Sequence, residues 1–258
     1  MLTVRQRSDS EFTASLESFW GSSAKGDLLA RATLVATVGT GRAIASAHTF
    51  FAGRAQPDVE IRLTREQPSA DRSRVYSYED QTLRSETIFR FAGAPDRFTY
   101  QTLPALDALP SPEDLPSEVE TAKKEGWARF AVGPIESRRI GEHAAVDDGQ
   151  PAVWQGWLRP RQPLPADTRV QTAALAFLSE YRSHWGVELR LGADFPRSDI
   201  LILDHSLWIH RSVPWEDFWL VRTSTDVGVG GRCFSRREIF TRAGAMVASA
   251  AWEAVVRR

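Results

Sequence analysis

The residue types that could do chemistry are concentrated in the last third of this chain, and Asp204 stands first among them. It follows the apolar run Ile200-Leu201-Ile202-Leu203, so the spacing predicts a carboxylate entering a strand from a buried setting. Burial raises a carboxylate's pKa and is costly unless the group is hydrogen-bonded. Such a residue serves either as a general base or as an acceptor that ties down neighbouring amides. Adjacent strand residues point apart, so Asp204 and His205 are not a dyad, whereas Asp204, Ser206, Trp208 and His210 share a face. His205 and His210 face opposite sides and cannot jointly ligate a metal. The sequence contains no H-E-x-x-H, paired C-x-x-C, Walker or G-x-S-x-G motif, which weighs against the metal, phosphate-loop and serine-hydrolase chemistries that those spacings support. Cys233 is the single cysteine and reads as a buried, inert thiol. Nine tryptophans, most of them in the second half, fit core or interface filling better than a dedicated acyl channel.

The elements that must position these residues repeat. Leu28, Leu29, Ala32 and Val35 recur at helical spacing, with Lys25, Asp27 and Arg31 off that stripe, and Gly39 and Gly41 follow as a stop signal. Alternating segments come next: Val59, Ile61 and Leu63 oppose Glu60, Arg62 and Thr64, and Thr87, Phe89 and Phe91 oppose Ile88 and Arg90. From Gly93 to about Gly126 prolines and acids crowd together, as in a linker running over a surface. Strand-like GWARFAVGPIESR and PAVWQGWLRP follow. The segment PADTRVQTAALAFLSEYRSHW then places Val170, Ala174, Phe177, Leu178 and Tyr181 on one helical stripe, with Asp167 or Thr168 as N-cap. Four further strands end the chain, the last two joined by Arg242-Ala243-Gly244. Helix-then-meander thus occurs twice, giving an α+β protein with a sheet to cover each apolar helix.

Composition narrows the function further. Hydrophobic residues make up 42% and charged residues 25%, with a formal net charge of -1. That balance suits a full globular core and argues against an electrostatic nucleic-acid binder. No apolar run approaches the roughly 20 residues of a membrane span, and Met1 to Phe19 is mixed and polar. The expected setting is the cytoplasm, with no nucleic-acid or membrane partner.

The segment Asp204-His205-Ser206-Leu207-Trp208-Ile209-His210, with Arg232, Thr241-Arg242-Ala243-Gly244 and Val247-Ala248-Ser249 after it, resembles the type II (TesB-like) acyl-CoA thioesterases. PADTRVQTAALAFLSEY is similar to the family's second helix, while KGDLLARA and HTFFAGRA match its first half more loosely. The resemblance implies a double hotdog: two antiparallel sheets, each wrapped around a long helix. On that basis residues 1–100 and 127–258 are two hotdog domains and 101–126 is the linker.

The resemblance also implies an activity and a site. The expected function is hydrolysis of an acyl-CoA or acyl-carrier thioester by a water that Asp204 orients. No dissociable cofactor or metal is implied, CoA being part of the substrate, and a homo-oligomer is expected because hotdog edges and faces are commonly covered by a second copy. The family places a Thr or Ser near Thr225. Gap-free counting from Arg232 gives Asp226 instead, and a bulge in Gly228–Gly231 would restore Thr225. Its Gln on the last strand is Trp252 here, which cannot accept a hydrogen bond through its side chain. Its Gly-Gly at the first helix is Lys25-Gly26, where free amides would hold the thioester carbonyl. Asp27 stands where the family often has Gln. These departures leave an alternative: a non-hydrolytic acyl-thioester binder or biosynthetic tailoring protein with the same fold. A scaffold that uses its sheets only for packing is the third reading.

Overall fold

Period-two alternation runs through thirteen short segments, and the computed structural model pairs all of them into one antiparallel sheet. It describes residues 3–16, 25–56, 58–93, 100–101, 106–124, 133–141, 149–150, 152–191 and 200–257. The first half holds β1 (Arg5–Gln6), β2 (Glu11–Ser15), α1 (Lys25–Thr37), β3 (Ile44–Phe51), β4 (Glu60–Ser69), β5 (Arg72–Glu79) and β6 (Thr82–Phe91). The second holds β7 (Ile135–Ile140), β8 (Ala152–Pro160), α3 (Thr168–Glu180), α4 (Trp185–Leu191), β9 (Ile200–Ile202), β10 (Asp204–Ile209), β11 (Trp219–Val229), β12 (Arg232–Phe240) and β13 (Met246–Val256). Between them, α2 (Glu118–Lys124) follows two short 3-10 turns.

The strand order is β1-β2-β4-β5-β6-β3-β10-β13-β12-β11-β8-β7, with β9 paired to β13. Read from each edge to the centre, β2-β4-β5-β6-β3 and β8-β11-β12-β13-β10 follow the same plan: a strand, a helix, then four strands. This is the double hotdog, and the halves join where β3 pairs with β10, Asp204 opposite Phe50 and Ser206 opposite His48. The strand before the first helix was not anticipated. β2 is only five residues long, and its alternation of Phe12 and Ala14 is too brief to stand out.

Helix α1 departs from the amphipathic expectation. Lys25, Asp27 and Arg31 are as buried as Leu28 and Leu29, because the sheet, α3 and the N-terminal segment enclose the helix on every side. Arg31 lies 3.2 Å from Asp27, one turn away, and also donates to the Thr3 carbonyl. Each fully buried leucine contributes about 2 kcal/mol through removal from water, and the paired charges offset part of their own desolvation. Thr33 and Thr37 return their hydroxyls to the carbonyls of Leu29 and Thr33 at 2.8 and 3.1 Å. Arg65 donates to the Val38 carbonyl at 2.6 Å and closes the helix end.

Helix α3 begins where expected: Asp167 is the N-cap and accepts from the Arg169 amide at 2.8 Å. It packs antiparallel to α1, with Ala30 and Leu34 against Ala173, so small residues let the backbones approach. Residues 106–115 of the Pro-rich stretch lie over the outer face of the second half. Leu106, Leu109 and Leu115 pack on Trp157, Phe218, Leu220 and Phe240, and Trp157 donates to the Pro110 carbonyl at 3.0 Å. The first part of the strand expected over GWARFAVGPIESR, residues 126–132, lies outside the described residues, as do 102–105 and 125 of the linker.

Candidate active site

Antiparallel packing of α1 and α3 brings the N-terminus of one helix against the C-terminus of the other. Exposed backbone N–H groups and positive dipole therefore meet exposed carbonyls and negative dipole. Side chains of opposite sign complete the junction. Glu180, the last residue of α3, accepts a hydrogen bond from the Gly26 amide and another from the Ser183 hydroxyl at 2.8 Å. A Cβ on Gly26 would lie 3.2 Å from Glu180 Oε2 and 3.4 Å from the Phe177 carbonyl oxygen, so the glycine admits this close approach. Lys25 donates to the Ile202 carbonyl on β9 and lies 4.7 Å from the Phe51 ring centroid.

Arg237 and His205 close the other side. Arg237 reaches the carbonyls of Leu178 and Tyr181 at 2.8 Å and that of Ser179 at 3.1 Å, and donates through Nε to Thr223 at 2.9 Å. Its guanidinium stands 5.3 Å from the Trp252 ring centroid. His205 Nε2 is 3.1 Å from the Ser179 carbonyl, and the imidazole stacks on Trp252 at 5.8 Å and 11°. Helix α3 thus ends in a cap made by side chains of β10 and β12.

Burial dominates the electrostatics here. It raises the Glu180 carboxyl to about 7, opposed by the Ser183 hydroxyl, Lys25, Arg237 and the Gly26 amide. It lowers the Lys25 ammonium to about 8, helped by Arg54 and opposed by Glu180. Arg237 falls to about 10 for the same cause, and His205 falls to about 4, which keeps its ring neutral near pH 7. A carboxyl that gains and loses a proton near neutrality, at a helix N-terminus, has the chemistry of a general acid–base.

The residues singled out by sequence divide between the two sides of the sheet. Gly26, Asp27, Thr225 and Trp252 lie inside. Asp27 is committed to Arg31. Thr225 is buried beneath α4, its hydroxyl 2.8 Å from that of Ser235, where the absence of a side chain on Gly186 leaves it room. Asp226 is exposed and pairs with Arg236 at 2.9 Å. The pairing of β11 with β12 shifts between Thr225 and Val227, so the irregularity falls at Asp226. Gly230 and Gly231, where the bulge was expected, instead form the hairpin turn at φ 60° and 76°. One inner row crosses the sheet through His205, Trp252, Ser235 and Thr225.

Asp204 takes the other side. Its partner across the junction, Phe50, is 59% exposed, while the partner of His205, Thr49, is 2% exposed. The Asp204 carboxylate accepts from the Glu253 amide at 3.0 Å, filling the break between β9 and β10. Beyond it on the same face, Ser206 bonds His48 at 3.0 Å, and Trp208 meets the His48 ring edge-on at 5.5 Å. Arg42, Arg90, His48 and Trp208 line an open groove of about 420 Å³ there. His210 ends the strand against Ser249 at 2.9 Å.

Glu180 escaped the sequence reading. It carried a signal all the same: a carboxylate at a helix C-terminus opposes the dipole, and it extends the line of Ala173 and Ala176 that faces α1.

Sheet, helices and helix-junction site together define a double-hotdog protein. Residues 105–256 match the family described as acyl-CoA thioesterase C-terminal domain, and the chain belongs to that family. It is 23% identical over 181 residues to acyl-CoA thioesterase 2 of Haemophilus influenzae, covering 64% of this chain and 56% of that relative's length. Among solved structures, acyl-CoA thioesterase II TesB2 from Mycobacterium marinum matches with a TM-score of 0.80 at 22% identity, over 99% of this chain and 96% of that one. The tesB protein of Mycobacterium avium subs paratuberculosis matches with a TM-score of 0.80 at 20% identity, over 100% and 97%. Among the described residues, no helix is long and apolar enough to cross a membrane, and no cluster of His, Cys, Asp and Glu suits a metal.

Proposed function

We propose that the chain hydrolyses an acyl-CoA thioester by direct attack of water, with Glu180 as the general base. The observation that carries this reading is the Glu180 carboxyl, held on the Gly26 amide at the start of α1 and raised toward neutrality by burial. Glu180 takes a proton from water as the water oxygen bonds to the thioester carbonyl carbon. Negative charge gathers on the carbonyl oxygen, where the dipole of α1 and the Lys25 ammonium favour it. The intermediate collapses, the C–S bond breaks, and the proton on Glu180 passes to the departing CoA thiolate. The chain needs no dissociable cofactor for these steps, and CoA enters only as part of the substrate.

Asp204 has a different part in this reading. Its carboxylate already serves the Glu253 amide from the outward side, so it holds the strand break together. Thr225 and Ser235 extend the polar inner row. The lone, buried Cys233 suits the cytoplasm, and exposed Phe50, Trp208 and Phe234 on the sheets suit a homo-oligomer.

The test is release of free CoA from a panel of acyl-CoA thioesters. The wild type turns over at least one, and Glu180→Gln lowers kcat by about 10³-fold, the scale of a lost general base. A second reading, a binder or tailoring protein, is favoured by Trp252, a large indole where the family places Gln. Saturable acyl-CoA binding without CoA release would select it.

A further inference from the structure

On the outer side of the sheet two arginines stand directly opposite each other, Arg72 on β5 and Arg90 on β6. Like charges in that position are destabilising. Other arginines of this face are matched with acids: Arg74 reaches Glu86 at 3.3 Å and Glu66 at 3.9 Å, and Arg62 reaches Glu11 at 3.9 Å. Among the described residues, neither Arg72 nor Arg90 has an ion pair or a hydrogen bond through its side chain. Both charges bear on Asp71, whose carboxylate accepts from the Ser69 hydroxyl at 2.6 Å.

The row that holds this pair continues from Arg90 across Ser46 to Trp208. A serine between two large side chains leaves a gap, and the groove of about 420 Å³ opens there, lined also by Arg42, His48 and Phe91. That volume suits a small-molecule ligand. Arg42 is fixed in the wall by the carbonyls of Ala70 and Ala92, the second at 3.2 Å, and by the Phe91 ring centroid at 5.5 Å. Trp208, braced by the His48 ring, stays 40% exposed. Guanidinium charge and an open indole therefore lie two strand spacings apart, about 10 Å. Three arginines against one Asp71 leave the groove and its rim positive.

We infer that this groove binds a nucleoside phosphate, as a ligand separate from the thioester. Guanidinium groups take phosphate oxygens through paired N–H donors, and a dianion beside Arg72 and Arg90 offsets their repulsion. The base stacks on Trp208, an interaction open to any planar ring. Inorganic phosphate occupies only the cationic end. The ligand is separate because β3 is bonded to β6 and β10, and β10 to β3 and β13, so continuous sheet stands between the groove and Glu180. The inference goes beyond the hydrolase reading and does not depend on it.

Calorimetric titration of the full chain with AMP, adenosine and inorganic phosphate tests this. AMP should bind saturably, with adenosine and inorganic phosphate each weaker by about ten-fold or more. Trp208→Ala and Arg90→Gln should each weaken AMP about ten-fold, with KM for acyl-CoA unchanged in the CoA-release assay. No AMP binding, or AMP binding that both variants leave intact, overturns the site. Inorganic phosphate binding as tightly as AMP makes it a bare anion site and overturns the nucleoside. A rise in KM that parallels the loss of AMP affinity makes the groove the seat of the substrate's own nucleotide and overturns the separate ligand. An oligomer that dissociates in Trp208→Ala and binds no AMP assigns the surface to a second copy, which also overturns it. Wild-type protein that releases no CoA refutes the hydrolase reading alone; acyl-CoA affinity from the same titration then replaces KM.

Discussion

On the inner side of β10, His205 is sealed between Trp252 and the end of α3, and its neighbours are ionisable groups shifted toward neutrality by burial. On the outer side, one residue away, Asp204 shares a face with Ser206 and Trp208, and Trp208, 40% exposed, lines an open groove. The same strand supplies both sets by alternation alone. What differs is the medium. Water around the outer face screens charge and satisfies polar atoms, whereas the inner face must balance every charge with a nearby partner. A carboxylate is a tunable base only in the second setting, and Glu180 occupies it.

Removing the inner cation should have a larger effect than any change on the outer side. Lys25→Met deletes the ammonium that favours ionised Glu180, so the carboxyl pKa rises further and less base is available at pH 7. We expect kcat to drop roughly ten-fold at neutral pH, with the limb that titrates near pH 7 displaced upward. A pH–rate profile that stays put would separate Glu180 from catalysis.

Stability should carry the same signature. Glu180 has a folded pKa of about 7, above the usual value near 4.5 that it regains on unfolding. The folded state therefore binds more protons between those values, and ∂ΔG/∂pH is negative there. Its contribution is fully present below about pH 4.5 and is lost as pH rises through about 7. Chemical denaturation at pH 5 and pH 8 should show wild type losing ground relative to Glu180→Gln across that interval. A constant difference between the two proteins would mean that the carboxyl is not perturbed.

The outer side should respond weakly. Asp204→Ala leaves the Glu253 amide without its acceptor and should cost about 1–2 kcal/mol in denaturant midpoints, with kcat per folded molecule changed by less than about three-fold. Trp208→Ala, at a half-open surface, should change stability by about 0.5 kcal/mol or less and leave kcat unaltered. A rate loss in Trp208→Ala larger than in Lys25→Met would reverse the assignment of the two faces.

Much of the architecture was legible in the sequence because strand alternation and the α3 stripe are local signals. The two helix-then-meander passages and the hairpin at Arg242–Gly244 follow from them, and the divergence of Asp204 from His205 was also readable. The polar residues of α1 were not. Lys25, Asp27 and Arg31 look like a solvated face until α3 and the N-terminal segment enclose them. Glu180 was hidden for the same reason, since its role depends on two helix ends meeting across 154 positions of sequence. Trp252 could be recognised as a departure, but its stacking on His205 depends on the pairing of β10 with β13. Local pattern determines which way a side chain points; only tertiary packing determines what medium it points into.

The central claim is that the working carboxylate lies inside the sheet. The most direct measurement is a side-by-side comparison of initial rates of CoA release by Glu180→Gln and Asp204→Asn on one acyl-CoA that the wild type hydrolyses. Loss of about 10³-fold in Glu180→Gln, with Asp204→Asn near wild type, is the predicted result. An active Glu180→Gln beside a dead but folded Asp204→Asn would contradict it, and would move the base to the outer side of β10.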